Sequence, residues 1–247
     1  MRYSAHPWRS GAGPTNRHGA WMGGAATLVL SAALLAGLAG CGTPSAQQIY
    51  DNSTNSKMRD AALTFTGAST GSSAGTIAIS GDGKLVKKPA AYKLHLVLQL
   101  NSAQANGNVA IDAIEVNKKD YTKVNTSISG LGSFGSDKYV ESDATGDAAS
   151  LTPKLTNLKL VGEETIRGDK CWHITGSSKD ATGKASTENL WVRESDNYPV
   201  REKLSALPGV NLPSGTASSA LDVSLTIDFS NFDTGAVIDA PPASEIG

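Results

Sequence analysis

The chain changes rhythm as it goes. From Ala25 to Leu38 it is almost wholly Ala, Leu, Val and Gly, an apolar run of about fourteen residues that falls short of the roughly twenty a membrane-crossing helix needs. From Ala46 to Arg59 the spacing turns helical: Ala46, Ile49, Tyr50, Ser53 and Met58 share roughly one face. Ser45 with Gln48 three residues on has the form of a capping box. The polar run from Asn52 to Asn55 competes with the backbone, so an ordered extended tether is the alternative.

From Ala61 onward the period is two, which predicts antiparallel strands joined by turn chemistry. Leu63 and Phe65 open the series, and Ile77 and Ile79 continue it up to Gly81-Asp82-Gly83, read as a turn. Tyr92, Leu94, Leu96, Leu98 and Leu100 alternate without a break. Val109 to Val116 and Tyr121 to Val124 flank Asn117-Lys118-Lys119-Asp120, and Lys138 to Glu141 adds a short strand. Leu158 to Ile166 and Cys171 to Thr175 flank Arg167-Gly168-Asp169-Lys170, the clearest hairpin. Asn189 to Glu194 and Pro199 to Leu204 flank Ser195-Asp196-Asn197. Leu221, Val223, Leu225, Ile227 and Phe229 repeat the clean alternation.

The sum is about ten strands in meander order, too many for a flat sheet. Leu151, Leu155 and Leu158 return to helical spacing between Asp147 and Leu158, which predicts a short second helix. The Gly- and Ser-rich stretches Ser127 to Gly135 and Leu207 to Ser219 read as loops, and Ala240-Pro241-Pro242 as an extended tail.

The first apolar run gains meaning from its flanks. Arg2, Arg9 and Arg17 precede it with no acidic residue among them, and Leu38-Ala39-Gly40-Cys41 ends it. This is the layout of a signal peptide, and its last four residues resemble the lipobox of bacterial lipoproteins. The resemblance implies a leader over 1–40, cleavage before Cys41, a diacylglyceryl thioether on Cys41 and a short lipidated tether over 41–45. A buried thiol at Cys41 is the alternative. Without paired arginines, general export is expected over the twin-arginine route.

Removing the leader leaves roughly 200 residues, enough for one well-cored domain over 46–247. The net charge of -1 offers no electrostatic footprint for nucleic acid. Once Cys41 is acylated, Cys171 has no partner for an intramolecular disulfide.

Catalytic patterns dissolve on inspection. Gly67-Ala68-Ser69-Thr70-Gly71 has the spacing of a nucleophile elbow but leads to another β segment, not a helix, and reads as a turn. Gly130-Leu131-Gly132-Ser133-Phe134-Gly135 has dinucleotide-fingerprint spacing outside any βαβ unit. His95 and His173 are too few for a histidine-rich zinc site, and His173 with Cys171 offers at most a weak pair on one strand face. Glu163 and Glu164 point to opposite faces. Asp228 and Asp233 read as solvated carboxylates without partners. No metal, no cofactor and no enzymatic activity are expected.

Several segments then follow in a telling order: Gly162-Glu163-Glu164-Thr165-Ile166-Arg167-Gly168, His173-Ile174-Thr175-Gly176, Leu190-Trp191-Val192-Arg193, Pro199-Val200-Arg201, Leu225-Thr226-Ile227-Asp228-Phe229 and Ile238-Asp239-Ala240-Pro241-Pro242. Placed behind a lipobox, this order resembles the LppX, LprA, LprF and LprG group of mycobacterial lipoproteins, itself similar in shape to the periplasmic carriers LolA and LolB. The resemblance implies a mainly β domain with a few helices (α+β): a strongly curved antiparallel half-barrel around an apolar cavity, with helices on the concave side. Only Cys41 transfers residue by residue. The strands expected to line the cavity are those of Tyr92, Leu94, Leu96, Leu98 and Leu100 and of Val223, Leu225, Ile227 and Phe229; an ordinary packed core is the alternative.

The implied function is a monomeric lipoprotein, anchored through Cys41 to the extracytoplasmic face of the cell membrane. It would carry an acylated lipid or glycolipid from that membrane toward the outer envelope or a membrane transporter. A buried sixteen-carbon chain contributes up to roughly 13 kcal/mol before ordering costs, so tight binding needs no charged group. A filled-core structural or accessory lipoprotein is the second reading, and an envelope hydrolase a distant third. The lipobox yields a direct expectation: Cys41→Ser leaves the exported chain unacylated, and cell fractionation with mass spectrometry finds it moved from the membrane pellet to the soluble fraction.

Overall fold

Period-two alternation dominates the architecture. The computed structural model describes residues 42–71, 75–102, 106–130, 132–144, 154–179, 185–205 and 222–247. Pro44–Gly247 forms one compact unit. Helix α1 (Ala46–Thr54) precedes β1 (Asp60–Gly71), β2 (Gly75–Lys87), β3 (Ala90–Asn101), β4 (Asn106–Val116), β5 (Lys119–Ile128), β6 (Gly132–Gly135) and β7 (Val140–Asp143). Then follow β8 (Thr156–Ile166), β9 (Asp169–Lys179), β10 (Ala185–Arg193), β11 (Pro199–Leu204) and β12 (Asp222–Ser230). The strands form a single open antiparallel sheet of 12 strands in the order β6-β5-β4-β3-β2-β1-β12-β11-β10-β9-β8, with β7 also pairing β5. Among the described residues no helix is long and apolar enough to cross a membrane.

Hairpin chemistry explains most of the connections. Asn117 and Lys118 both take positive φ, as do Arg167 and Gly168, so each pair closes a tight turn whose twist suits the flanking strands. One junction breaks the meander. β1 pairs with β12, from Ala62 opposite Ser230 to Thr70 opposite Asp222, so the first and last strands lie side by side in mid-sheet. A simple meander would have left both at edges.

That pairing aligns large and absent side chains in rows. Leu94, Gly83, Leu63 and Phe229 are successive cross-strand neighbours, as are Leu96, Gly81, Phe65 and Ile227, and Leu98, Ile79, Gly67 and Leu225. Each row holds one glycine. A Cβ on Gly81 would stand 2.2 Å from the His95 carbonyl oxygen and 2.9 Å from Leu96 Cδ2; one on Gly83 would stand 2.7 Å from Leu94 Cδ2. Neighbouring leucines lean into the space the glycines leave, which lets one face contract and the sheet bend toward it. Gly81-Asp82-Gly83 is therefore continuous strand and not the turn its composition suggests. Gly67-Ala68-Ser69-Thr70-Gly71 likewise belongs to β1, where a Cβ on Gly67 would meet the Ser224 carbonyl oxygen at 2.5 Å.

Arg167 shows how far the sheet rolls. Flat strands about 4.8 Å apart would place β9 roughly 14 Å from β12. Yet the Arg167 guanidinium, in the β8–β9 turn, donates to the Phe229 carbonyl at 2.6 Å and to the Val200 carbonyl at 3.0 Å, and lies 3.1 Å from Asp228. A register shift in β10–β11 beside Val192 assists: Val200 packs with Ile166, Cys171 and Trp191 on the outer face, while Pro199 turns inward.

The inner face takes α1 over β8, β9 and β10, where Ala46 and Ile49 pack on Ile174, Leu190 and Val192. The expected capping box is formed, with Ser45 Oγ accepting from the Gln48 amide and Gln48 Oε1 from the Ser45 amide. The helix stops at Thr54 and does not run to Arg59, because Thr54 and Asn55 bond back to the Tyr50 and Asp51 carbonyls and close the last turn. Met58 leaves that helical face and enters the inner cluster with Leu63, Phe65, Leu225 and Phe229. The outer face of β2 to β5 is covered by the C-terminal segment: Ile238 packs with Val86, Ile114 and Tyr121, and Tyr139 bridges to Ile246. A 3-10 turn at Ala243–Glu245 closes the tail after Pro242.

Other expectations change in the same way. Ser127 and Ile128 end β5, and Gly132–Gly135 is β6, so much of the expected loop from Ser127 to Gly135 is strand. Leu158 lies in β8, which removes the C-terminal end of the second helix; residues 147–153 of that helix lie outside the described residues, as do the leader, Cys41 and the loop from Leu207 to Ser219. The glycine rows carry a measurable consequence. Gly81→Ala should destabilise the domain by about 1–3 kcal/mol through overpacking, read as a lower urea midpoint, whereas Ser80→Ala on the exposed face should leave the midpoint nearly unchanged.

Candidate functional site

The two cleanest runs meet on the inner face. Leu96, Leu98, Leu225, Ile227 and Phe229 are buried in one cluster, with Tyr92 and Leu94 packed half-buried against it. Leu100 is half-buried at the far end of β3. Val223 stands opposite Ser69 in the backbone register; its side chain lies outside the described residues. Among the described side chains of this set, Phe229 alone lines the cavity beside α1.

That cavity measures about 90 Å³ and lies between the inner cluster and the cluster beneath α1. Its wall grades from apolar to polar: Met58, Leu85, Leu190 and Phe229 on one side, Tyr50, Ser53, Thr54 and Lys87 on the other, with Glu202 fully buried. Lys87 Nζ donates to the Thr54 carbonyl at 3.0 Å and the Ser56 carbonyl at 3.4 Å, which seats an ammonium at the carboxyl end of α1. Met58, Leu85 and Phe229 belong both to the cavity wall and to the inner cluster, so the two spaces share side chains.

The acids of the inner face are the residues sequence reasoning missed. Glu202 stands opposite Leu190 and Ile227, in phase with Leu204, and Glu188 stands in phase with Leu190. Glu188 is well supplied: it accepts from Ser178 Oγ at 2.8 Å, from Ser186 Oγ, and from the Ser205 amide at 2.9 Å. Neither carboxyl oxygen of Glu202 has a partner. Burial first, and then the nearby charge of Glu188, push the Glu202 carboxyl well above the usual range. At the other end of the inner face Tyr92 lies beside Glu115, which lies beside Asp120. Burial, then the charges of Asp120 and Glu115, push the Tyr92 hydroxyl up to about 12. Strict parity with Leu204, Leu190 and Ile111 was the available signal for these inward acids.

The outer face holds structural polar pairs. His173 stacks on Trp191 with centroids 4.2 Å apart, and its ring nitrogens lie 2.7 Å from Glu164 and 2.9 Å from Asn189. The Trp191 indole donates to the other Glu164 oxygen; that bond, against burial and helped by His173, holds the carboxyl below its usual range. Cys171 donates to the Asp169 carbonyl and not to His173, and burial pushes its thiol up. Asp228 is not a lone solvated carboxylate: Arg201 grips it bidentately at 2.8 and 3.0 Å. Asp233 accepts from the Tyr198 hydroxyl at 2.6 Å and the Arg59 amide at 2.7 Å. Their partners sit on segments remote in sequence, which is why neither pair was legible there. Among the described residues no group of three or more His, Cys, Asp or Glu is placed to hold a metal.

The chain is similar to mycobacterial lipoproteins of known structure. Lipoprotein LppX of Mycobacterium tuberculosis is 17% identical over 78% of this chain and 98% of that chain, with a TM-score of 0.46. LprF of Mycobacterium bovis is 17% identical over 82% of this chain and 100% of that chain, with a TM-score of 0.47. A LolA superfamily protein of Nitrosomonas europaea is 9% identical over 81% and 96%, with a TM-score of 0.24. No protein-family model matches the sequence, and no curated protein matches it.

A raised folded-state pKa has a definite sign. Below the ordinary carboxylate value of 4.5, Glu202 is protonated in both folded and unfolded chains; above it the unfolded chain ionises first, so stability falls as pH rises toward the folded value. Glu202→Met should remove this loss and the orphaned carboxyl together, stabilising the domain at pH 7 by about 1–3 kcal/mol. Urea midpoints measured from pH 4 to pH 8 should show the advantage of the variant shrinking toward the acid end.

Proposed function

We propose that this chain is a membrane-anchored lipoprotein of the cell envelope. In this reading it takes acyl chains of an envelope lipid or glycolipid onto the inner face of its sheet and carries them from the cytoplasmic membrane without catalysis. The observation that carries the reading is the continuous apolar surface across β3, β2, β1 and β12, built from both clean runs. An acyl chain exchanges one apolar medium for another there, and each methylene contributes about 0.8 kcal/mol. Cys41 supplies the anchor and tethers the chain near its lipid source, and a transporter or the outer envelope receives the cargo.

Loading requires movement at the α1 end of the sheet. The cavity of about 90 Å³ is far below the roughly 300–1,000 Å³ of ordinary ligand sites, so Met58 and its neighbours must part to admit a chain. Met58 is suited to that, being unbranched and bordering both spaces. The same tightness favours a second reading, a filled-core accessory lipoprotein: Leu63 is 1% and Phe229 0% exposed.

Residues 44–247, expressed in a host that makes envelope lipids, should copurify with close to one equivalent of acylated lipid, identified by mass spectrometry of the organic extract. Leu96→Asn and Leu225→Asn, checked for folding by circular dichroism, should lower loading at least fivefold. A lipid-free wild-type domain with an intact cooperative transition would instead establish the filled core.

A further inference from the structure

Glu202 is out of place in a wall whose task is to hold hydrocarbon. It is fully buried, both its oxygens lack a partner, and it borders a cavity that is also lined by the exposed Thr54. Asp120 and Glu194 each leave one buried oxygen without a partner, but among the described residues Glu202 is the acid with both. Glu188 is not its partner: the Glu188 carboxylate accepts from Ser178, Ser186 and the Ser205 amide, and no bond joins it to either Glu202 oxygen.

We propose that this cavity seats the ester junction of an acylated ligand, with the Glu202 carboxyl donating a hydrogen bond to the ester carbonyl and Met58, Leu85 and Phe229 against the first methylenes of the chain. The inference rests on the lipid-binding reading above and names the polar part of the ligand. Burial and the neighbouring Glu188 keep the Glu202 proton in place, so the group offers an O–H. An anionic carboxylate or phosphate at this depth would face the Glu188 charge, and a cationic amine would enter beside the Lys87 ammonium. The uncharged acceptor that suits both is an ester carbonyl, which brings no donor of its own into an apolar wall. The space fits the ester group alone: about 90 Å³ has room for roughly three waters at ~30 Å³ each, comparable to an ester linkage and its first methylene.

The test uses the full chain purified in detergent and freed of lipid. It is offered 1-monopalmitoylglycerol or its ether counterpart 1-O-hexadecylglycerol, and bound probe is counted by native mass spectrometry. Glu202→Met, which removes the donor at similar volume, should weaken binding of the ester about tenfold and of the ether by less than threefold, since one net hydrogen bond corresponds to about a factor of ten. Glu202→Gln, whose amide still donates, should hold the ester within threefold of wild type. If wild type binds both probes and Glu202→Met lowers neither, or lowers both equally, the ester site is overturned while lipid binding stands. If wild type takes up neither probe, the lipid-binding reading falls and the ester site falls with it.

Discussion

The pairing of β1 with β12 is the contact on which the rest of this domain depends. It joins two runs of hairpins, one climbing from β1 to β6 and the other returning from β8 to β12, into a single sheet. Without it each run would end in an open central edge with unpaired amides and carbonyls, and the apolar face would be cut between Phe65 and Ile227. Such a contact between the ends of the domain closes a long loop, so local hairpins must do the early work of folding and this pairing completes it. Side-chain ties reinforce the junction. Asp60, at the start of β1, is buried yet accepts from the Thr234 hydroxyl and the Thr234 and Gly235 amides just beyond β12; against the push of burial, these bonds hold its carboxyl below the usual range.

Curvature follows from what the rows of that sheet contain. A face that bends inward has less room per residue than a flat one, and the glycines at 67, 81 and 83 remove the side chains that would resist. The opposite face must then be covered over a wider arc. It is covered in pieces: the C-terminal segment over β2 to β5, and the cluster of Ile166, Cys171, Trp191 and Val200 where the β8–β9 hairpin rolls toward β12. The arginine at the tip of that hairpin fastens the roll by reaching carbonyls that a flat sheet would keep out of range.

Polarity is distributed unevenly over the two faces of the sheet, and this separates the tied acids from Glu202. Glu164, Asp60, Asp228 and Asp233 have donors waiting at hydrogen-bond distance, and each ties together segments remote in sequence. Glu202 has none and stands where α1 stops short and a cavity remains. A locally unfavourable group that neither pairs nor solvates is the kind of inconsistency folds retain at working sites. It also sets an unfilled space beside the end of α1, next to the unbranched side chain of Met58.

The alternation from Tyr92 to Leu100 and from Leu225 to Phe229 by itself determined that these strands bury one face, since side-chain direction along a strand reverses at every residue. Asn117-Lys118 and Arg167-Gly168 likewise marked their hairpins, and Ser45 with Gln48 the start of α1, because all are local chemistry within a few bonds. Only the tertiary structure decided that Gly81 and Gly83 lie in a strand and not a turn, for their need is set by leucines on the neighbouring strand. The same holds for β1 beside β12, for Arg201 on Asp228, and for the isolation of Glu202. Each depends on which distant segment becomes a neighbour, and no window of sequence contains both partners.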